Sequence, residues 1–461
     1  MGSKVCKARR YFPGPPIQLS PNSAPMKELP VPVLPFDRHG FECNDQSCER
    51  LLARMWELHL TACTENVRGV VGSIPATSAI KSNDNEAILK LAAALGLGFD
   101  CATPGEIYKV LKLGVHPKSI IFASPIKMPE WMAYAKKSGI THTVFDSSSE
   151  LKRIKQNWPD ARTLIRIRVD SESVYQLGEK FGCDFETEAI PLLNEAAELK
   201  IKVVGVAFHV GSVCNSTDSH AAGIRNARSL FDYEASQGRE MKIVDIGGGF
   251  LSEKTKDIDK VSQLINTSLE EFFPDKNVKI IAEPGRYVCD SSMTLYCSIN
   301  SVKRIKKDNE YINMIYLNDG IYGTLQFAES WQTVSKFQKQ ESTNTEEVRE
   351  KTILWGYSLD STDRVMKDLT VLLPRCSPLD WLVFPIRGAY SIVFCSTFGC
   401  FQQPQIRPVV SKELWLKIKD SRAYQGSEFV ESPDISEPFS SSIPPFVTTT
   451  SYIESTASLP L

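Results

Sequence analysis

Along the middle of the chain, short β-branched or apolar runs alternate with segments of helical period. The runs end near Ile80, Phe99, Phe122, Phe145, Arg168, Phe208, Ile246 and Ala282, and segments such as Asn85 to Leu95 and Glu186 to Leu199 lie between them. Strand and helix in alternation build a parallel sheet, and about eight such units predict an α/β fold, a (β/α)8 barrel of the TIM type. Beyond about residue 290 the helical period drops out. Met293 to Val302, Tyr311 to Leu317 and Trp381 to Phe384 then read as strands in succession, which predicts a C-terminal β domain of Greek-key or sandwich type.

The flanks lack this pattern. Residues 1–40 are interrupted by Pro13, Pro15, Pro16, Pro30, Pro32 and Pro35 and read as a disordered extension, and residues 421–461 are crowded with Ser, Thr, Pro and acidic groups and read as a disordered tail. A helix is expected around Arg50 to Leu60. The barrel is thus expected over 41–290 and the β domain over 291–420, since 461 residues exceed what one core usually supports.

Charge narrows the function classes. With 53 basic and 55 acidic residues nearly cancelling, the chain lacks the footprint of a nucleic-acid or anionic-membrane binder. No apolar run has the length of a membrane span, and the N-terminus lacks the apolar core of a secretory signal. The 12 cysteines are scattered without metal-ligand spacing, which points to reduced thiols, a cytoplasmic location and no metal site. Small-molecule chemistry is the class that remains.

In barrels of this kind the chemistry sits at the C-terminal ends of the strands. Lys81 follows the first run, Asp100 the second and Asp146 the fourth; Arg166 lies late in the fifth, and His209 follows the sixth. Gly247, Gly248 and Gly249 follow the seventh run, and Glu283 and Arg286 the eighth. A glycine triplet alone is most often a tight turn. Placed beside Gly285-Arg286, it offers backbone N–H groups and a guanidinium to a phosphate. A lone lysine is usually solvated, but Lys81 can form a Schiff base if its surroundings permit. Glu283 can hold a pyridine nitrogen protonated, the plain alternative being an ion pair with Arg286. His209 can stack on a flat ring and Ser212 can donate to a phosphate oxygen, although a single histidine is more often a satisfied core residue. Lysine, carboxylate, stacking group and phosphate loop on one rim specify pyridoxal 5'-phosphate (PLP) better than a nucleotide.

From about residue 70 to 415 the chain resembles eukaryotic ornithine decarboxylase and its paralogues, the group IV PLP decarboxylases. Ala79-Ile-Lys-Ser-Asn83, Gly98-Phe-Asp-Cys-Ala102, Phe208-His-Val-Gly-Ser212, Asp245-Ile-Gly-Gly-Gly-Phe250 and Ala282-Glu-Pro-Gly-Arg286 resemble the family's barrel motifs. Asn318-Asp-Gly-Ile-Tyr-Gly323, Trp355-Gly356 through Asp360 and Gly388-Ala-Tyr390 resemble those of its C-terminal domain. The resemblance implies that Lys81 holds PLP, that Asp100, Glu106 and Arg166 support it, and that Tyr390 joins the phosphate site. It implies that Asp319 and Asp360 bind the distal amine of ornithine, that each site is shared across a homodimer, and that Lys180 and Asp363 pair between subunits.

The chain departs from that pattern at Leu359, where the family has a proton-donating cysteine. Leucine has no proton to give, so the resemblance implies an apolar group facing the substrate and reprotonation by Lys81 or water. Two readings follow. In one, the chain is a PLP-dependent decarboxylase of an L-amino acid, with its choice shifted toward an apolar side chain such as leucine's or kept on ornithine or lysine. In the other, it is a non-catalytic regulator like the antizyme inhibitors, with antizyme as its partner.

Overall fold

The computed structural model describes residues 77–406, apart from 95, 215, 217, 251–257, 276, 329–332, 337–347, 368 and 405. The N-terminal extension, the helix around Arg50 to Leu60 and the 421–461 tail lie outside the described residues.

Eight parallel strands form one sheet: β1 (Thr77–Ala79), β2 (Gly98–Cys101), β3 (Ile120–Phe122), β4 (His142–Phe145), β5 (Arg162–Ile167), β7 (Lys202–Phe208), β9 (Ile243–Asp245) and β10 (Lys279–Ile281). Their neighbour order follows the chain, as in a (β/α)8 barrel, and helices such as Pro104–Lys112 and Ser219–Ser236 separate them. A small antiparallel ladder, β6 (Ser173–Tyr175) with β8 (Ser212–Cys214), stands beside the main sheet.

The strands are apolar throughout because both faces are covered. In β3 the period of two divides the side chains: Ile120 and Phe122 join the helix-facing core with Phe99 and Phe145, while Ile121 joins Val144, Leu164, Val204, Ile243 and Ile281 in a second cluster. Each fully buried side chain of this size contributes about 1.5–3 kcal/mol.

The C-terminal unit is a mixed sheet of β13 (Ser335–Lys336), β17 (Trp381–Phe384), β11 (Leu295–Lys307), β12 (Glu310–Leu317), β14 (Arg349–Trp355) and β15 (Arg364–Val365), with β16 (Val371–Pro374) paired to β14. Cys297, Ile299, Ile315, Leu317, Leu354, Leu382 and Phe384 form its core. Among the described residues no helix is long and apolar enough to cross a membrane.

Candidate active site

Lys81 lies in the 3-10 turn Ile80–Ser82 directly after β1, closed by Ser82 Oγ donating to the Ala79 carbonyl at 2.7 Å. In the β1–β2 register Ala79 faces Asp100, so the Asp100 carboxylate, 1% exposed, forms an ion pair with Lys81 Nζ. The lysine side chain remains 42% open to its surroundings. Desolvation works to lower its pKa, but Asp100, Glu283 and Tyr390 together outweigh that and hold it above the usual lysine value. At neutral pH the amine is an ammonium. Glu106 braces the arrangement indirectly: it accepts the Ala102 N–H at the end of β2, while Thr103 Oγ accepts the Glu106 N–H, a reciprocal helix cap.

A second carboxylate pair lies deeper. Asp245, 1% exposed at the end of β9, accepts the Gly247 N–H at 2.9 Å. Burial pushes its pKa up to about 7, and burial followed by repulsion from Asp100 and Asp245 holds Glu283 well above the carboxylate range. Lys81 and Arg166 oppose that repulsion. Arg166 sits 5.2 Å over the Phe181 ring. Asp146, in the electrostatic reach of Arg166 and Lys127, accepts the Gly182 N–H at 2.9 Å.

At the other end of the rim, Gly247 (φ +64°) and Gly249 (φ +104°) adopt left-handed backbone, and an added Cβ would meet Phe208 O at 2.2 Å and Val210 Cγ2 at 2.5 Å respectively. Glycine is required there. Arg286 turns away from Glu283: its Nε donates to Ser212 Oγ at 3.1 Å, and a terminal nitrogen lies 3.9 Å from Asp290. The Tyr390 ring faces the same guanidinium at 4.9 Å. Tyr390 itself carries φ +52°, a strained value for a bulky residue, held by its N–H donating to Ser82 O at 2.8 Å. His209 Nδ1 accepts the Gly211 N–H at 3.0 Å. Burial, aided by Arg166, Lys81 and His220, holds its pKa well below the usual histidine value, so the ring is neutral.

The residues expected to handle the substrate fare differently. Asp319 is 4% exposed and accepts from the Gly320 and Thr324 N–H groups and the Thr324 hydroxyl, so it braces its own turn. Asp360 is more open, and its carboxylate accepts from the Tyr322 hydroxyl and from Thr362 N and Oγ1. Leu359 is fully exposed in the single chain, where it faces solvent rather than the cofactor rim. Asp363 is 1% exposed and accepts the Ile321 and Ser358 N–H groups inside its own chain, while the Lys180 ammonium lies 4.9 Å over the Phe181 ring.

Two residues join the site without a clear sign in the sequence. Asp245 opens the glycine motif but reads there as a strand end. Asn83, fully buried, donates from Nδ2 to Gly388 O at 2.6 Å and so ties the lysine turn to the C-terminal unit; the one hint is its place two residues after Lys81.

The rim fits pyridoxal phosphate. Burial and repulsion from neighbouring carboxylates hold the Asp245 and Glu283 carboxyls above their usual range, and a protonated ring nitrogen beside them would supply the positive charge that favours their ionised forms. The glycine cradle with Arg286, Ser212 and Tyr390 suits a phosphate, and a neutral His209 suits ring stacking.

Comparison with known proteins agrees with this geometry. Residues 59–290 match the family described as pyridoxal-dependent decarboxylase, pyridoxal binding domain, and residues 286–388 match its C-terminal sheet domain. Ornithine decarboxylase of Rattus norvegicus is 37% identical over 77% of this chain and 80% of its own. Antizyme inhibitor 2 of Xenopus laevis is 33% identical over 74% of this chain and 77% of its own. Among solved structures, the arginine decarboxylase of Paramecium bursaria Chlorella virus superposes with a TM-score of 0.68 at 30% identity, covering 78% of this chain and 92% of that one.

Proposed function

The chain belongs to the pyridoxal-dependent decarboxylases as a diverged member of the ornithine decarboxylase family, and from that premise we propose that it converts a neutral apolar L-amino acid, such as leucine, to its amine. PLP, when bound, supplies the electron sink that lets the carbon–carboxylate bond break. In this reading Lys81 holds the cofactor carbonyl and Asp100 sets the charge on its nitrogen. Glu283, supported by Asp245, faces the ring nitrogen, and His209 lies against the ring. Gly247, Gly248, Gly249, Ser212, Arg286 and Tyr390 take the phosphate.

The observation that carries the substrate reading is the condition of the two carboxylates that would otherwise recognise a distal ammonium. Asp319 accepts three bonds within its own turn, and Asp360 accepts from Tyr322 and Thr362. The Tyr322 and Thr362 bonds hold the Asp360 carboxylate below its usual pKa, and burial raises that of Asp319 toward its neutral acid despite its three bonds, so neither needs a substrate cation beside an apolar side chain. Full exposure of Leu359 and partial exposure of Phe394, Phe398 and Phe401 support a homodimer in which these groups are covered and Leu359 and Asp360 complete the partner's site. We assign the enzyme to the cytoplasm.

The test is CO₂ release from a panel of leucine, ornithine, lysine and arginine by purified protein, with Lys81→Ala as control. Leucine should be preferred, and Lys81→Ala should release none. Preference for ornithine or lysine would overturn the substrate assignment while leaving the enzyme class intact. The antizyme-inhibitor relative frames the competing outcome: protein that binds antizyme, keeps no cofactor absorption band once unbound PLP is removed and turns over nothing on the panel is a regulator.

A further inference from the structure

Arg286 is held from more sides than the phosphate motif requires. Its Nε donates to Ser212 Oγ at 3.1 Å, and in the β6–β8 ladder Ser212 is the direct register partner of Tyr175. Cross-strand partners project to one face of a ladder. The Tyr175 ring accordingly lies 6.0 Å from the Arg286 guanidinium, while Tyr390 faces it at 4.9 Å. The arginine side chain is only 11% exposed. Rings on a desolvated guanidinium attract it through their quadrupoles and restrict its rotamers.

Tyr175 does not stand alone. It meets Phe327, which follows β12 in the C-terminal unit, edge-on at 6.2 Å; Phe327 meets Phe394 at 5.0 Å, and Phe394 lies 6.3 Å from Tyr390. The chain of rings therefore leaves the barrel at Tyr175, passes through the β domain and returns to the guanidinium at Tyr390. Phe327 is also fixed through its backbone, since its carbonyl accepts from the buried Arg387.

We propose that Tyr175 is a positioning residue for the cofactor's phosphate: its ring, backed by Phe327 and Phe394, holds the Arg286 guanidinium in the plane set by Ser212 and keeps water from it. This rests on the reading of Arg286 as the phosphate arginine. The role belongs to the ring and not to the hydroxyl, so phenylalanine should replace tyrosine and leucine should not.

The affinities of PLP and of pyridoxal, which lacks the phosphate, are measured by absorbance titration of the full-length protein. Wild type and Tyr175→Phe should discriminate equally between the two ligands. Tyr175→Leu should weaken PLP about tenfold, the order expected from losing a partly desolvated cation–ring contact, and leave pyridoxal unchanged. Phe327→Leu should move the same way by a smaller factor. If Tyr175→Leu binds PLP as wild type does, or loses PLP and pyridoxal alike, the inference fails. Arg286→Ala separates it from its premise. If that variant still discriminates, the phosphate reading of Arg286 is wrong; if it loses discrimination while Tyr175→Leu keeps it, only the role of Tyr175 is wrong.

Discussion

Gly247→Ala isolates how much the cofactor loop depends on close backbone approach. Gly247 has φ +64°, and an added Cβ would lie 2.2 Å from Phe208 O and 2.9 Å from His209 Cα, both backbone atoms that no rotamer change can move aside. Gly238 offers a control, for it has φ +71° with nothing within 4 Å of the added atom. Left-handed backbone costs an L-residue roughly 1–2 kcal/mol at either position. At Gly247 overpacking adds about 1–3 kcal/mol more, relieved by pushing the β9 end away from β7 and from His209. The Gly247 N–H, held by Asp245 at 2.9 Å, moves with it. Gly238→Ala should therefore lower the melting midpoint slightly and leave the PLP dissociation constant alone. Gly247→Ala should lower the midpoint further and raise that constant about tenfold, removing roughly 1.4 kcal/mol of the stabilisation conferred by saturating PLP. A Gly247→Ala protein with the wild-type PLP-induced rise in melting midpoint would refute the close-approach reasoning.

Three further outcomes are expected. Lys127 pairs with Glu150 in the interior at 2.7 Å and donates to the Ser124 and Val144 carbonyls, while Glu150 keeps Arg153 as a second partner, so Lys127→Met should destabilise the fold by about 1–3 kcal/mol; Lys136→Met, which breaks the exposed pair with Asp160, should barely shift the melting curve. Because Asp100 and Glu283 hold the Lys81 pKa above its usual value, the neutral amine that captures PLP grows about tenfold per pH unit below that pKa. Stopped-flow capture rates should therefore climb between pH 7 and 9, and a flat profile would show that deprotonation does not limit capture. Leu359→Cys should raise the yield of amine over aldehyde by-product in chromatographic product analysis; an unchanged ratio means that another group already returns the proton.

The barrel is legible because its signal is repeated. Eight apolar runs, each followed by a helical period, leave little freedom of order, and chemistry at strand ends then draws attention to Lys81, His209, Glu283 and Arg286. The shorter elements carry no such signal. β6 and β8 have three residues each, too few for a period, so the ladder that sets Tyr175 beside Ser212 emerges only from the fold. Asp319 and Asp363 are ambiguous for a different reason. A carboxylate after a strand reads the same whether it faces a ligand or accepts the N–H groups of its own turn, and only burial separates the cases. The exposure of Leu359 is equally silent in the sequence, because it depends on how the turn beyond β14 leaves the sheet.

The contacts around Lys81 argue against treating the β domain as an accessory to a self-sufficient barrel. The lysine turn is bound to residues more than 300 positions away: Asn83 donates to Gly388 O, and the Tyr390 N–H donates to Ser82 O. Gly388 in turn donates to Asp290 O, and a Cβ on it would lie 1.6 Å from Cys289 O, so the two chain segments meet at backbone distance. Cys289 Sγ then lies 3.3 Å from Ser82 Oγ, which closes the circuit back to the lysine turn. Lys81 is thus set by β1 on one side and by the 388–390 strand exit on the other, and Arg286 by Ser212 and Tyr390 in the same way. The two groups that would grip opposite ends of the cofactor each rest on both units, so their separation is fixed by the packing of one unit on the other.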